Sequence, residues 1–301
     1  MLAFSEIIGQ DRAKKILQRT IRTGRVGHAY LLVGPEGTGK KSLALAFAAA
    51  LNCSAENKPC GLCRSCRRIA EGNHPDLVVF EPEGRSFKIE QIRRLQQLIA
   101  FKPYEGNYKV FILDGAESFT DQAANSLLKT LEEPPLHSVL ILLANKNLLL
   151  PTITSRCTVV PVQPLPDETI AQVLQERGVS DGERIASVSG GSLGKALRIA
   201  GEWAELGEPV QRFLAAVQGN RPWDLGKDLY AQFKESPDFR ELFLDLCQEE
   251  YKKKAISQKM LGVRALEEIE KGREMLKYNV NPDAVLRSLS IKLANIQRRA
   301  F

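Results

Sequence analysis

No stretch of this chain approaches the eighteen or so consecutive apolar residues that a membrane-spanning helix needs. The start, Met1-Leu2-Ala3-Phe4-Ser5-Glu6, is acidic and soon interrupted, with no charged segment leading into a long apolar run. A membrane protein is therefore not expected, and the cytoplasm is the expected compartment. There is no internal repeat and no low-complexity tract, which sets aside solenoids and linkers. An excess of one charge is lacking too, since 42 Lys/Arg stand against 36 Asp/Glu for a net charge of +6. That excess lies entirely in residues 1–164, where 21 basic residues meet 15 acidic ones, whereas residues 165–301 hold 21 of each. Such a bias fits a phosphate-facing or nucleic-acid-facing N-terminal part as well as an ordinary solvated surface. Histidine is scarce: His28 and His137 are expected to pack or hydrogen-bond rather than bind metal, and His74 lies too far from any candidate ligand cluster to be needed as a ligand.

What the chain does contain is order of two kinds. With 301 residues it is long enough for two or three domains. Apolar runs at 29–33, 77–80, 110–113 and 139–143 alternate with helical periodicity at about 11–24, 42–51, 89–100 and 119–132. Strands alternating with helices predict a parallel α/β sheet covered on both faces. Pro161, Pro164 and Pro166 then punctuate the sequence, a small helical segment opens at Asp167-Glu168, and from about 207 the pattern is helical only. The expected domains are 1–164, 165–206 and 207–301.

The first expected strand runs into Gly34-Pro35-Glu36-Gly37-Thr38-Gly39-Lys40-Lys41, which has the form of a phosphate loop. In such a loop backbone N–H groups cradle phosphates at a helix N-terminus, a Lys neutralises the terminal phosphates, and a following Ser or Thr holds magnesium. Gly34, Gly39 and Lys40 meet the first two requirements, but Lys41 stands where the hydroxyl belongs and Ser42 comes one residue late. Just behind this loop, Cys53, Cys60, Cys63 and Cys66 are spaced C-x6-C-x2-C-x2-C. Four thiolates so spaced suit one tetrahedral ion, and a structural zinc site in a module about 53–66 is expected in preference to disulfides in a reducing compartment. Arg64, Arg67 and Arg68 add positive charge that lowers thiol pKa values. The module could brace an insertion too small to bury a core, or touch nucleic acid through those arginines; Cys157 and Cys247 are expected to be free thiols.

Further residues give these signals a context. Ile7-Ile8-Gly9-Gln10, His28-Ala29-Tyr30-Leu31-Leu32, the cysteine set, Leu127-Leu128-Lys129-Thr130-Leu131-Glu132-Glu133-Pro134 and Ser155-Arg156-Cys157 together resemble the clamp-loader family of AAA+ ATPases. The resemblance reaches Tyr278-Asn279-Val280-Asn281-Pro282, which is similar to a turn in the helical collar through which those subunits assemble. It implies a RecA-like AAA+ domain with a zinc insertion, a small helical lid and an all-α collar.

The resemblance also implies roles. Ile8 lies in the segment that packs against adenine; Asp114, at the end of the third strand, is the acid that holds magnesium; Asn145 is the polar residue that senses the terminal phosphate. Gly115 stands where members that hydrolyse ATP carry the water-activating Glu, and Glu117, two residues on, is expected to face elsewhere. Gly194 stands where active members have a phosphate-sensing Arg. Arg156, taken to follow the last strand, is the arginine finger offered in trans to ATP on the adjacent subunit, with pairing to Glu132 or Glu133 as its structural alternative. The combination points to a ring member with little or no ATP turnover of its own and doubtful ATP and magnesium binding. Its implied partners are the gamma/tau and delta subunits of a hetero-pentameric ring, the sliding clamp and primer–template DNA, in a bacterial replisome. A self-sufficient ATP-hydrolysing motor subunit and a zinc-dependent nucleic-acid-binding module are the alternatives.

Overall fold

The computed structural model describes residues 3–84, 86–146, 148–179, 181–219, 221–257 and 259–298. It resolves into two compact units, Met1–Pro166 with Gly191–Gly194, and Asp167–Gly190 with Lys195–Phe301. Among the described residues no helix is long and apolar enough to cross a membrane.

The first unit contains α1 (Asp11–Thr23), β1 (Ala29–Val33), α2 (Lys40–Asn52), α3 (Arg64–Ala70), β2 (Leu77–Phe80), α4 (Ile89–Ile99), β3 (Lys109–Asp114), α5 (Asp121–Glu132), β4 (Ser138–Ala144), α6 (Pro151–Thr154) and β5 (Thr158–Pro161). Its five strands form one parallel sheet in the order β2-β3-β4-β1-β5. Side chains alternate between the faces of a strand, so each strand must feed two cores. Tyr30, Leu32, Ile112 and Ile141 pack with Leu17, Leu43 and Phe47 on one side, while Leu31, Phe111, Leu140 and Leu142 pack with Leu95, Leu127 and Leu131 on the other. All seven residues of β4 are buried, which is why its sequence is an unbroken apolar run.

The order carries β1 between β4 and β5, although β2 comes next along the chain. In open parallel sheets ligands bind beyond the carboxyl ends of the strands where the order switches. The loop after β1 and the ends of β3 and β4 meet there. One expectation is corrected: Arg156 does not follow the last strand, because β5 comes after it and pairs with β1 along Tyr30↔Thr158 to Val33↔Pro161. As an edge strand, β5 can end on a proline that has no N–H to give.

The second unit is helical, with α7 (Asp167–Glu176), α8 (Gly182–Ser189), α9 (Leu193–Gln218), α10 (Lys227–Glu235), α11 (Pro237–Ser257), α12 (Lys259–Lys277) and α13 (Pro282–Arg298). Helix α9, whose first two residues belong to the other unit, runs unbroken through residue 207. Phe243 on α11 is the centre of an aromatic core, with ring centroids 5.0 Å from Phe213, 5.5 Å from Phe233 and 6.1 Å from Phe239. Buried Tyr251 accepts a hydrogen bond at its hydroxyl from Gln297 Nε2 (3.0 Å), and Arg273 joins α12 to Asp245 of α11 at 2.8 Å.

Candidate functional site

The loop after β1 begins at a position only glycine can fill, because a Cβ on Gly34 would lie 1.9 Å from the Val162 carbonyl oxygen. Gly39 takes φ 96° as the N-cap of α2, where a left-handed backbone favours glycine. Lys40 is buried, and its Nζ donates to the carbonyls of Gly34 (2.7 Å) and Pro35 (2.7 Å) and to Asn145 Oδ1 (2.8 Å). The sequence-identified Asn145 at the end of β4 is thus brought onto the phosphate-loop lysine. Burial lowers the Lys40 pKa, against the opposing pull of Glu117, Asp114 and Glu36. Ile8 is half-buried, and its neighbour Gln10 does more than the sequence disclosed. Its Nε2 donates to the carbonyls of Thr38 (3.1 Å) and Gln163 (2.6 Å), fastening the chain start to the loop and to the segment after β5.

Magnesium at such a loop requires a hydroxyl at position 41 and a free carboxylate on the facing strand. Neither is present. Lys41 Nζ lies 3.3 Å from Asp114 Oδ2 and 2.5 Å from Glu81 Oε1, and Ser42 is exposed. The residues present do not fit a magnesium site. Gly115 takes φ 91°, so a Glu there would strain the backbone as well as change the chemistry. Glu117 is the strongest of the acidic influences on Lys40, and its Oε2 is buried without a hydrogen-bond partner. Gly194 donates its N–H to the Gly37 carbonyl at 3.1 Å, and a Cβ there would sit 3.2 Å from Gly37 Cα. A long side chain at this position must displace the loop or point away.

Arg156 lies just past α6, which opens on Pro151 at a helical N1 position. Its Nη2 donates to Glu132 Oε1 at 2.8 Å and its Nη1 to the Thr152 carbonyl at 3.0 Å.

The four cysteines converge. Their Sγ atoms all lie within 4.8 Å of one another, with Cys53 and Cys63 at 3.9 Å. Four sulfurs tetrahedral about zinc at about 2.3 Å stand about 3.8 Å apart, so the set fits that ion. Cys53 follows α2, Cys60 and Cys63 flank the turn at Gly61, and Cys66 is in the first turn of α3. Burial raises the Cys63 thiol, but hydrogen bonds led by the Cys66 N–H overcome it and bring its pKa down to about 6; burial raises Cys53 and Cys66. None of the six cysteines is in a disulfide.

Sequence reasoning missed how this module is anchored. His74, expected only not to be needed as a ligand, is buried, with Nδ1 accepting from the Asp76 N–H (3.1 Å) and Nε2 therefore donating to Ser65 Oγ (2.8 Å). Asp76, 1% exposed, accepts the N–H groups of Tyr104, Glu105 and Gly106 at 2.6, 2.9 and 2.8 Å. Glu105 in turn pairs with Arg68 (3.0 Å) and Arg64 (3.5 Å). The cue was a lone His-Pro-Asp before β2, which has no spacing rule behind it.

A phosphate loop on a five-stranded parallel sheet followed by helices is the AAA+ architecture. A DNA polymerase III gamma subunit-related protein from Thermotoga maritima has the same fold, with a TM-score of 0.55 at 20% identity, covering 97% of this chain and 100% of that one. The chain belongs to the family described as "DNA polymerase III, delta subunit", which it matches over residues 9–166. It is 42% identical over 173 residues to DNA polymerase III subunit delta' of Bacillus subtilis, covering 57% of this chain and 53% of that protein. DNA polymerase III subunit tau of Salmonella typhimurium is 36% identical over 57% of this chain and 27% of its own length. The matched stretch thus spans about half of the delta-prime relative and about a quarter of tau.

Proposed function

We propose that this chain is the delta-prime-type member of a bacterial clamp loader, a ring subunit that does not hydrolyse ATP but gives Arg156 to ATP on a neighbouring gamma/tau subunit while the ring loads a sliding clamp on primed DNA. The observation that carries this reading is the state of the chain's own phosphate loop. Lys41 pairs with Asp114, and Gly115 is left-handed where a water-activating Glu belongs. General-base catalysis needs a carboxylate within hydrogen-bond reach of the attacking water, so the loop lacks both the ligands for magnesium and the base. Arg156, by contrast, keeps an always-charged, fork-shaped guanidinium at the surface, suited to phosphate oxygens.

In this reading 165–206 acts as the lid and 207–301 as the collar. Delta, the clamp and primer–template DNA are partners of the assembled ring in the cytoplasm. The zinc module braces an insertion whose own core is only Ala49, Cys53, Cys66 and Ile69. Bracing is favoured over nucleic-acid contact because so small a core cannot hold the insertion by itself. Reconstitution tests the reading: the purified chain alone turns over no ATP, and a gamma/tau–delta mixture gains DNA-stimulated ATP hydrolysis and clamp loading when the chain is added. Turnover by the chain alone, lost in Lys40→Ala, would identify a motor subunit instead.

A further inference from the structure

The residue after the phosphate-loop lysine departs from a metal-dependent nucleotide site in a specific way. It does not merely lack a ligand; it supplies a cation. Glu81 follows β2 and Asp114 ends β3, and because β2 and β3 are neighbours in the sheet their carboxylates converge on the Lys41 ammonium at 2.5 and 3.3 Å. The bond to Glu81 raises the Lys41 pKa, which fixes its charge at neutral pH. Lys40 beside it rests on two loop carbonyls and Asn145, contacts that a phosphate oxygen can replace by accepting from the same ammonium. Two ammonium groups thus flank the N-terminus of α2, whose first N–H groups have no partners within the helix.

We propose that the Lys41 ammonium stands in the place of the divalent cation, so that the loop takes the polyphosphate of a nucleoside triphosphate as a metal-free anion. A Lys can fill the cation's place against Glu81 and Asp114 but cannot bridge the β- and γ-oxygens or order water as magnesium does. Nucleotide would be held and not cleaved. The inference rests on the non-hydrolysing reading and deepens it, giving the retired loop a structural ligand.

The test is a titration of the full-length chain with a fluorescent ATP analogue, in excess EDTA and in excess magnesium, with turnover measured in the same samples. Binding of nucleotide and metal is linked, so magnesium changes the affinity by the factor that couples them. The expected result is saturable binding in EDTA, tightened by magnesium less than about threefold, and a reversal in Lys41→Thr, where magnesium tightens binding roughly tenfold or more. Wild-type binding that magnesium tightens beyond that threefold limit overturns the proposal, as does no saturable binding in either buffer. A folded Lys41→Thr protein that behaves as wild type overturns the assignment to Lys41. Turnover separates the two readings: metal-enhanced binding without turnover defeats the metal-free site and leaves the proposed function standing, whereas turnover defeats both.

Discussion

Arg156 and Glu132 form an ion pair at 2.8 Å between the end of α5 and the turn past α6, with 36% and 51% of their side-chain surfaces exposed. An exposed pair of this kind contributes about 0–1 kcal/mol, because water screens it and two long side chains are held for it. Glu132 therefore holds the guanidinium in place without committing it. A phosphate approaching from a neighbouring subunit competes with one carboxylate in high dielectric, a small barrier beside the charge-assisted bonds it would gain. Glu132→Ala is expected to change unfolding stability by less than about 1 kcal/mol in a urea titration. A larger loss would make the pair a structural tie and weaken the case for a mobile finger.

The cysteine cluster is expected to hold about one zinc per chain. Zinc binds thiolates, and at neutral pH the protons of Cys53 and Cys66, whose pKa values burial raises, must leave on binding. Zinc uptake should release protons and weaken as pH falls. Cys63→Ser should raise amide exchange across residues 53–70 while the sheet keeps its protection, because the module lies behind α2 and outside the strand order. Loss of exchange protection in β1 and β4 together with the module would contradict this.

Asp76 gives a second tie with a defined pH sign. Burial raises its pKa, but three backbone N–H groups outweigh it and hold the carboxyl below its ordinary value. Its contribution is present above the unfolded pKa of about 3.9 and is lost as pH falls through the lower folded value. Burial also holds the His74 pKa below its ordinary value, so the unfolded chain takes up a proton first on acidification below about 6.5. Both effects make stability fall with acid, His74 in the window below about 6.5 and Asp76 below about 4. Asp76→Ala leaves three N–H groups unpaired and should cost roughly 3 kcal/mol or more at pH 7, with faster exchange at residues 104–106.

Gly115→Glu is expected not to create an ATPase. The position's φ of 91° costs an L-residue roughly 1–2 kcal/mol, and Asp114 beside it remains paired with Lys41. The measurement is ATP turnover and thermal stability of the single variant and of Gly115→Glu with Lys41→Thr. Turnover restored by the single change would mean that the missing base alone had silenced the loop.

Strands β1 to β4 were legible because each is a compact apolar run, and the phosphate loop and cysteine set because their chemistry is local in sequence. β5 was not, since Thr158-Val159-Val160-Pro161 offers two apolar residues and a proline, and an edge strand needs little more. Glu81 escaped notice for another reason: its meeting with Lys41 depends on β2 lying beside β3, which no spacing reveals. The influence of Glu117 on Lys40, exerted from a short 3-10 turn at Ala116–Ser118, is likewise written in no spacing. The pairing of Arg156 with Glu132 was anticipated as the alternative to a finger, and the structure contains it; a contact that is weak and exposed is compatible with both roles. Gln10 was read only within the Ile7-Ile8-Gly9-Gln10 run, and neither its left-handed conformation, unusual outside glycine, nor its bonds to Thr38 and Gln163 had a signal in the sequence.

The central claim is that Arg156 acts on ATP held by another polypeptide, and its most direct measurement is DNA-stimulated ATP hydrolysis by a reconstituted ring containing Arg156→Ala, with assembly verified and clamp and primed DNA present. The account predicts a folded, zinc-loaded variant that joins the ring yet lowers the total rate and clamp loading, because the one site facing this chain slows by roughly 10³-fold or more while the others continue. Equal rates in fully assembled wild-type and variant rings would contradict it, leaving Arg156 as a surface residue paired with Glu132.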